Sequence, residues 1–366
     1  MLGIESAQPI MVRNLKRRHN MVTIGHDAHL KTSTMTVLDS NGKKLMRRKI
    51  DNDPDQLLAF IRQFPGEKQL AIETCYNWPL FHELFKNEVD QFHLLHARKL
   101  RSVIESQAKH DGNDSDEIAY LVHSGRPLVH SHAADLDTRC FRRLLRTRVS
   151  FSLDITRIKN QVHAIINAYT FYSQRPQNFK DIFCKRGLKY IKSLTLPEQE
   201  RFIVDKLLDK KNELDRRRNE FDEYIEHVDF HSDDLKWLQT VPGMKNGKLL
   251  KYIILSEIDN VNRFRHSRAL VAYAGLIPKE HSSGDKNRKG HLRTECNQFL
   301  RWAIIQATLP AMIKDKGLRQ YYKNLKERKN NSSSARIATA RTLLEAIYCV
   351  LKERRPYRMA QAVNRG

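Results

Sequence analysis

The sequence predicts an α/β domain near the N-terminus followed by a longer, mostly helical remainder. Three observations carry this. Short apolar-alternating segments between Val22 and Ile50, two of them separated by Asn41-Gly42, read as three antiparallel strands. Strand-like and helix-like segments then alternate to about His96, which implies parallel pairing. From about Leu136 the apolar periodicity becomes long and helical.

Taken in order, residues 1–20 form a basic N-terminal arm. Val22 to Asp27 is a strand with Val22 and Ile24 alternating. Thr32 to Asp39 is a second, with Thr34, Thr36 and Leu38 opposing Met35 and Val37. Lys44 to Ile50 returns as a third. Asp55 to Phe64 has helical spacing, Leu70 to Thr74 is a short buried strand, Trp78 to Asn87 a helix and Phe92 to His96 another strand. Around Lys109 the pattern turns helical, with Ile118, Leu121 and Val122 on one face. These elements make a first domain over 21–135.

From Leu136 to Tyr172 a stripe runs through Leu144, Leu145, Val149, Leu153, Ile158, Val162, Ile165 and Tyr169. Gln174 to Phe179 breaks it. A second long helix begins at Leu196-Pro-Glu and reaches Val228 through Ile203, Leu207, Leu214, Phe221 and Ile225. Two long amphipathic helices joined by a break predict an antiparallel coiled-coil arm over 136–233, suited to self-association or to bracing the domains. The third segment, 234–356, is mostly helical and ends in a helix from about Ser334 to Glu353. A tail, 357–366, follows.

Composition narrows the function. Lys and Arg outnumber Asp and Glu by 65 to 42, a formal net charge of +23 over 366 residues. Such a surplus repels itself unless a polyanion shares the space, and nucleic acid is the leading partner. No apolar run approaches 18 residues and no basic amphipathic anchor is present, so no membrane role is expected. Five scattered cysteines support neither a disulfide framework nor a zinc site. With Met11 to His19 polar and basic, no signal peptide is read, and a reducing cytoplasm is expected.

Against this basic background four acids stand out. Asp27 ends the first strand, Glu73 ends the fourth, and Asp111 and Asp114 lie three apart, on one face if helical. Three antiparallel strands, a strand carrying Glu and a later helix carrying Asp make the ribonuclease H layout. There the first and fourth strands lie side by side, so Asp27 and Glu73 converge and the helix delivers the other two. Two Mg²⁺ ions about 3.5–4 Å apart, held by hard oxygen ligands that leave room for a phosphate, are the chemistry this set suits. Each acid alone reads more readily as a surface carboxylate, and Asp114 or Asp116 as a helix cap. The ordered set carries the expectation.

In the third segment, Leu235 to Lys248 reads as helix, Pro242-Gly243 turn and helix. This is either a helix-hairpin-helix, whose exposed N–H groups would suit a phosphate beside Lys245 and Lys248, or a plain helical turn. Lys314 to Lys329 is basic with interspersed aromatics, and reads as a backbone contact or a solvated helix face. His26 with His29, and His93 with His96, are metal-ligand candidates that read more simply as packed or exposed histidines. Tyr321 and Tyr322 lack the Arg-His-Arg set of a tyrosine recombinase.

Several strings resemble the bacterial transposases of the insertion-sequence family one-ten/eleven-eleven, kin of the pilin gene-inverting recombinases. They are Gly25-His-Asp27, Ile72-Glu-Thr-Cys-Tyr-Asn-Trp78, Lys109-His-Asp111-Gly-Asn-Asp114-Ser-Asp-Glu-Ile-Ala119, Val241-Pro-Gly243, Phe264, Leu270 to Pro278, Ser282-Ser283-Gly284 and Asn297 to Arg301. Their order and spacing cover about 21–356. His29 replaces a common Lys, Ser115 an Ala and Cys296 a Gly. The resemblance implies a RuvC-like domain with a DEDD magnesium site and a C-terminal serine that attacks the phosphodiester. It also implies a noncoding guide RNA pairing with donor and target DNA, and a multimer, dimer or tetramer. By that match Ser283 is favoured over Ser282 as nucleophile. Lys279, Lys286, Arg288, Lys289 and Arg293 around it would hold phosphate and absorb charge, and Arg301 closes the last matching string. Two rivals remain: a RuvC-like nuclease or junction resolvase, which needs the acids but not Ser283, and a non-catalytic RNA-binding protein, which needs neither.

Overall fold

Strand β1 (Val22–Ala28) alternates, and the alternation sends its side chains to two different layers. Ile24 joins one apolar core with Met35, Val37, Leu70, Ile72 and the apolar faces of α1 (Pro54–Arg62) and α2 (Trp78–Phe85). Gly25 instead lies under α3 (Asp114–His123). The computed structural model describes residues 21–100, 114–126, 128–171, 181–245, 248–283, 286–292 and 295–358, the stretch 278–292 by its backbone only. It divides into two compact units that meet between Leu136 and Asp137.

The first unit is a mixed sheet in the order β3-β2-β1-β4-β5, with β2 (Thr32–Leu38), β3 (Lys44–Asp51), β4 (Lys68–Glu73) and β5 (Gln91–Leu95). β1, β2 and β3 pair antiparallel, while β1–β4 and β4–β5 are parallel. This order and these directions are consistent with a ribonuclease H-like domain. β2 is buried on both faces, Met35 and Val37 against α1 and α2, Thr36 against α3. β3 is the edge, exposed except at Ile50, and its Lys44, Arg47, Arg48 and Lys49 discourage pairing with another chain. Asp53 caps α1 by accepting from Gln56 N at 3.0 Å, and Pro54 occupies its first turn.

In the second unit α4 (Leu136–Tyr169) and α6 (Glu198–Glu226) run antiparallel. Arg148 pairs twice with Asp222 at 2.7 Å, Phe151 meets Phe221 edge-on, and Tyr169 donates to Glu200. Numbers rise along one helix as they fall along the other. The stripe read from sequence shifts in detail. Ile158 and Val162 are buried, but Leu153 and Tyr169 are 48% and 46% exposed, and Phe141, Ile155 and Ile166 take buried positions instead. A further helix, α5 (Lys185–Ser193), packs Ile191 into the far end of the pair, where sequence suggested only a break. The Gln174–Phe179 break itself lies outside the described residues.

Around the near ends of α4 and α6 a larger core gathers α7 (Ser232–Leu238), α8 (Leu249–Ile258), α9 (Ser267–Tyr273), α10 (Gln298–Lys314), α11 (Lys316–Lys329) and α12 (Ser332–Glu353). α8 is apolar nearly all round and accordingly buried. Between α9 and α10 the expected basic loop is instead an antiparallel strand pair, β6 (Pro278–Ser283) and β7 (Lys286–Leu292), with Ser283 opposite Lys286. Gly284 and Asp285, between these strands in sequence, lie outside the described residues. Among the described residues no helix is long and apolar enough to cross a membrane.

Candidate functional site

The acids of the first unit are placed by strand register. The parallel β1–β4 pairing ends at His26 opposite Ile72, so Asp27 and Glu73 each stand one residue beyond it. Alternation puts both on the α3 side, since Ile24, Leu70 and Ile72 fill the opposite core and Ala71 packs with Ile118 and Leu121 of α3. Asp114 is the first residue of α3 and is exposed. It comes near because β1 lets α3 approach closely. A Cβ on Gly25 would sit 2.2 Å from Ser115 O and 2.5 Å from Ala119 N, so only glycine fits.

Asp27 retains 13% side-chain exposure and faces His29, Nε2 to Oδ2 3.2 Å. Burial pushes its carboxyl above the usual carboxylate range, His29 pulls it down, and the Asp114 charge pushes it up again. A half-buried carboxylate lifted by burial and by a second acid is a donor that a hard divalent cation satisfies. Among the described residues no three ligand side chains form a ready metal cluster. Asp111 and Arg293 lie outside those residues. The backbones of Ser282, Ser283, Lys286, Arg288 and Lys289 belong to the hairpin strands.

Asp116, two residues beyond Asp114, does different work. It accepts from Thr36 at 2.5 Å and Lys44 at 2.6 Å, with Arg47 at 3.3 Å. Burial raises its carboxyl, but Lys44 and Thr36 outweigh that and hold it low. With its proton given to Asp116, Thr36 accepts from Ser115 at 3.0 Å. Asp116 and Ser115 thus clamp α3 to the sheet and hold Asp114 at its post.

A second polar chain lies under the β1–β2 loop. Ser33 donates to Asn52 Oδ1 at 2.6 Å, so it accepts at 2.7 Å from His26, which is therefore the Nε2–H tautomer. Asn52 Nδ2 donates to His29 O at 2.8 Å and Leu30 O at 3.1 Å, and Asn77 Nδ2 reaches His29 O at 3.1 Å. These bonds fix the loop beside Asp27. His26 is the packed histidine that its simpler sequence reading allowed, while Ser33 and Asn52 were missed. Asn77 lay within a matched string, the one signal available.

In the second unit, Glu257 of α8 is 1% exposed and gathers Arg146 at 2.7 and 2.8 Å, Arg142 at 3.5 Å and Asn297 Nδ2 at 2.7 Å. Asn297 also donates to the Tyr273 hydroxyl at 3.0 Å and caps α10 through Leu300 N at 2.9 Å. Arg301 donates to Ala274 O at 3.1 Å and to Cys296 Sγ, folded over Gly275, whose φ is 66°. Gly243, at φ 80°, lies where a Cβ would meet Pro310 C of α10 at 2.6 Å. Lys245 is exposed, and Lys248 donates to Glu226 O at 2.7 Å. The matched strings here carry a cap and two close approaches.

An α/β domain of ribonuclease H-like topology, with acids at the same end of its first and fourth strands and at the start of the following helix, defines the class. The DEDD transposase model of the IS110 group matches residues 24–171, and the model described as Transposase IS116/IS110/IS902 family matches 235–323. The chain belongs to this IS110-type transposase family. Among its relatives, the transposase for insertion sequence element IS1111A of Coxiella burnetii is 20% identical over 302 residues, 79% of each chain. The transposase for IS1328 of Yersinia enterocolitica is 22% identical over 295 residues, 78% of this chain and 83% of that one. A pilin gene-inverting protein of Moraxella bovis is 28% identical over 125 residues, 33% of this chain and 37% of its own.

Proposed function

We propose that this chain is a transposase that cuts and rejoins DNA, with Asp27, Glu73, Asp111 and Asp114 as the carboxylates of a magnesium site and Ser283 as nucleophile, directed by a noncoding guide RNA. The observation that supports this reading is that strand register sets Asp27 and Glu73 at the same end and on the same face of the sheet, while the Asp114 charge at the start of α3 raises the carboxyl of Asp27. Mg²⁺ held by these carboxylates would supply Lewis-acid polarisation of a phosphodiester.

The protein's own groups do the rest. The Ser283 hydroxyl attacks phosphorus, a P–Oγ bond forms, the bond to the departing sugar oxygen breaks, and the serine proton passes to that oxygen through water. Attack by a second strand's hydroxyl reverses these changes and frees the serine. Phosphodiester energy is kept in the protein–DNA link, so rejoining needs no outside source. Lys286, Arg288, Lys289 and Arg293 neighbour Ser283 in sequence and supply positive charge for the phosphate. Lys245, Lys248 and Arg301 are further backbone contacts in this reading.

Two variants test it. Asp27→Asn should abolish recombination while nucleic-acid binding persists. Ser283→Ala should remove both strand transfer and the covalent protein–DNA adduct trapped by denaturation, with Ser282→Ala milder. Recombination at near-normal rate by Ser283→Ala would sink the nucleophile assignment. Cleavage without any adduct in the unmutated protein would favour a hydrolytic nuclease or resolvase.

A further inference from the structure

The long helices of the second unit spend their positive charge internally. α6 carries seven Lys and Arg against ten Asp and Glu. Six of the seven have a carboxylate partner on the same helix: Arg201, Lys206, Lys211, Arg216, Arg217 and Arg218. On α4, Arg142 and Arg146 serve Glu257, Arg148 serves Asp222, Arg157 serves Asp154 and Lys159 serves Asp181. These cations have little field left to offer a polyanion.

α11 is the opposite case. It carries six Lys and Arg and one acid, Glu327. Arg319 is used at the end of α10, donating to Met312 O and Ile313 O. Lys316, Lys323, Lys326, Arg328 and Lys329 are all exposed, and none has an ion-pair partner among the described residues. The helix buries Leu318 and Leu325 and packs Tyr322 against the core. Lys316 and Lys323, seven apart, share the face turned away from that core, and Lys326 stands about 80° round from Lys316, on the flank of the helix. At a 1.5 Å rise the three lysines span about 15 Å, enough to follow roughly three phosphates along one strand. Past Asn330 in the left-handed conformation, Asn331 caps α12, whose exposed first turn adds N–H donors beside Arg328 and Lys329.

We propose that α11 is a polynucleotide-backbone-binding helix, with Lys316, Lys323 and Lys326 as a phosphate-tracking set and Arg328 and Lys329 extending it toward the start of α12. It reads no sequence: lysines on phosphates give position and affinity. The proposal rests on the nucleic-acid reading above but not on the carboxylates or Ser283.

The test uses full-length Asp27→Asn protein, so that cleavage does not enter. Lys316→Gln, Lys323→Gln and Lys326→Gln are combined and compared with the parent for binding to a DNA duplex and to a single-stranded RNA across 50–300 mM salt. The control neutralises Lys206, Arg216 and Arg217 on α6, each paired with a carboxylate of that helix. The α11 variant should lower the log–log salt slope by about 2–3, at roughly 0.7–0.9 per phosphate contact. It should do so equally for unrelated sequences, with melting unchanged, while the α6 control leaves the slope in place. Loss on duplex alone assigns the helix to DNA, and loss on RNA alone to RNA. A folded α11 variant with parental slope on both overturns the proposal. If the parent itself binds neither, the nucleic-acid reading has failed instead.

Discussion

His26 and Asp27 are neighbours in sequence and opposites in environment, because a strand sends consecutive side chains to opposite faces. His26 is buried between Phe81 and Phe85, and burial lowers its pKa to about 3. A depressed histidine contributes stability fully above its unfolded value near 6.5 and loses it as pH falls toward 3. Lowering pH from 6.5 to 5 should therefore cost about 2 kcal/mol through His26. His26→Asn should flatten that loss, measured as urea midpoints at the two pH values, and an unchanged slope would refute the assignment. Asp27 has the reverse sign. Its carboxyl is raised, so its contribution is present at low pH and lost as pH rises through the elevated pKa. Ionised Asp27 is a cost at neutral pH. Asp27→Asn should melt higher than the parent at pH 7 and not at pH 3. Mg²⁺ should raise the parent's melting temperature and leave the variant's nearly unmoved; equal responses would count against a cation at Asp27.

Elements differ in how far sequence exposes them. The three N-terminal strands were legible because Asn41-Gly42 and the alternation of Met35 and Val37 are local signals. Asp27 and Glu73 followed, since a strand-end acid needs only the strand to be found. What α3 does was hidden: Ser115 and Asp116 act through Thr36 and Lys44, some 70 to 80 residues away, and Asp111 lies outside the described residues. The hairpin of Ser283 was hidden by its polar strands, and α5 by a charged sequence whose apolar positions only make sense against Ile158 and Val204. Packing predictions belong here. Gly25→Ala forces a methyl into the α3 backbone and should cost about 1–3 kcal/mol or more. It should also weaken Mn²⁺ binding measured calorimetrically, because α3 carries Asp114; unaltered binding would uncouple helix position from the site. On the paired helices, buried Ile158→Ala should cost about 2–5 kcal/mol. Half-exposed Leu153→Asp should leave melting intact, and self-association, one of the two roles the sequence suggests for this arm, predicts that it lowers the mass seen by light scattering. A mass already monomeric with nucleic acid bound would rule the assembly out.

At the scale of the molecule the governing quantity is a net charge of +23. Compensation on α4 and α6 means the surplus is concentrated elsewhere, at Arg48 and Lys49 of the edge strand β3, along α11 and in the sequence around Ser283. Charge of this size gives affinity for any polyanion, and affinity alone selects no target. Lysines and arginines placed against a backbone supply register, not sequence. A recombinase built this way needs a second reader, and under the proposed function base pairing by a guide RNA would supply one at no cost in protein surface. The expectation is that the full chain, purified at low salt from cells carrying its element, retains one discrete RNA class rather than a random sample. About 1 M salt should strip it, as the Debye length falls to about 3 Å. Stripped protein should still bind DNA but lose target choice, and adding back the RNA should restore it. Altering the RNA's pairing segment should then move the insertion site. If stripped protein recombines at the original site with undiminished selectivity, the RNA is a passenger and the protein itself reads the sequence.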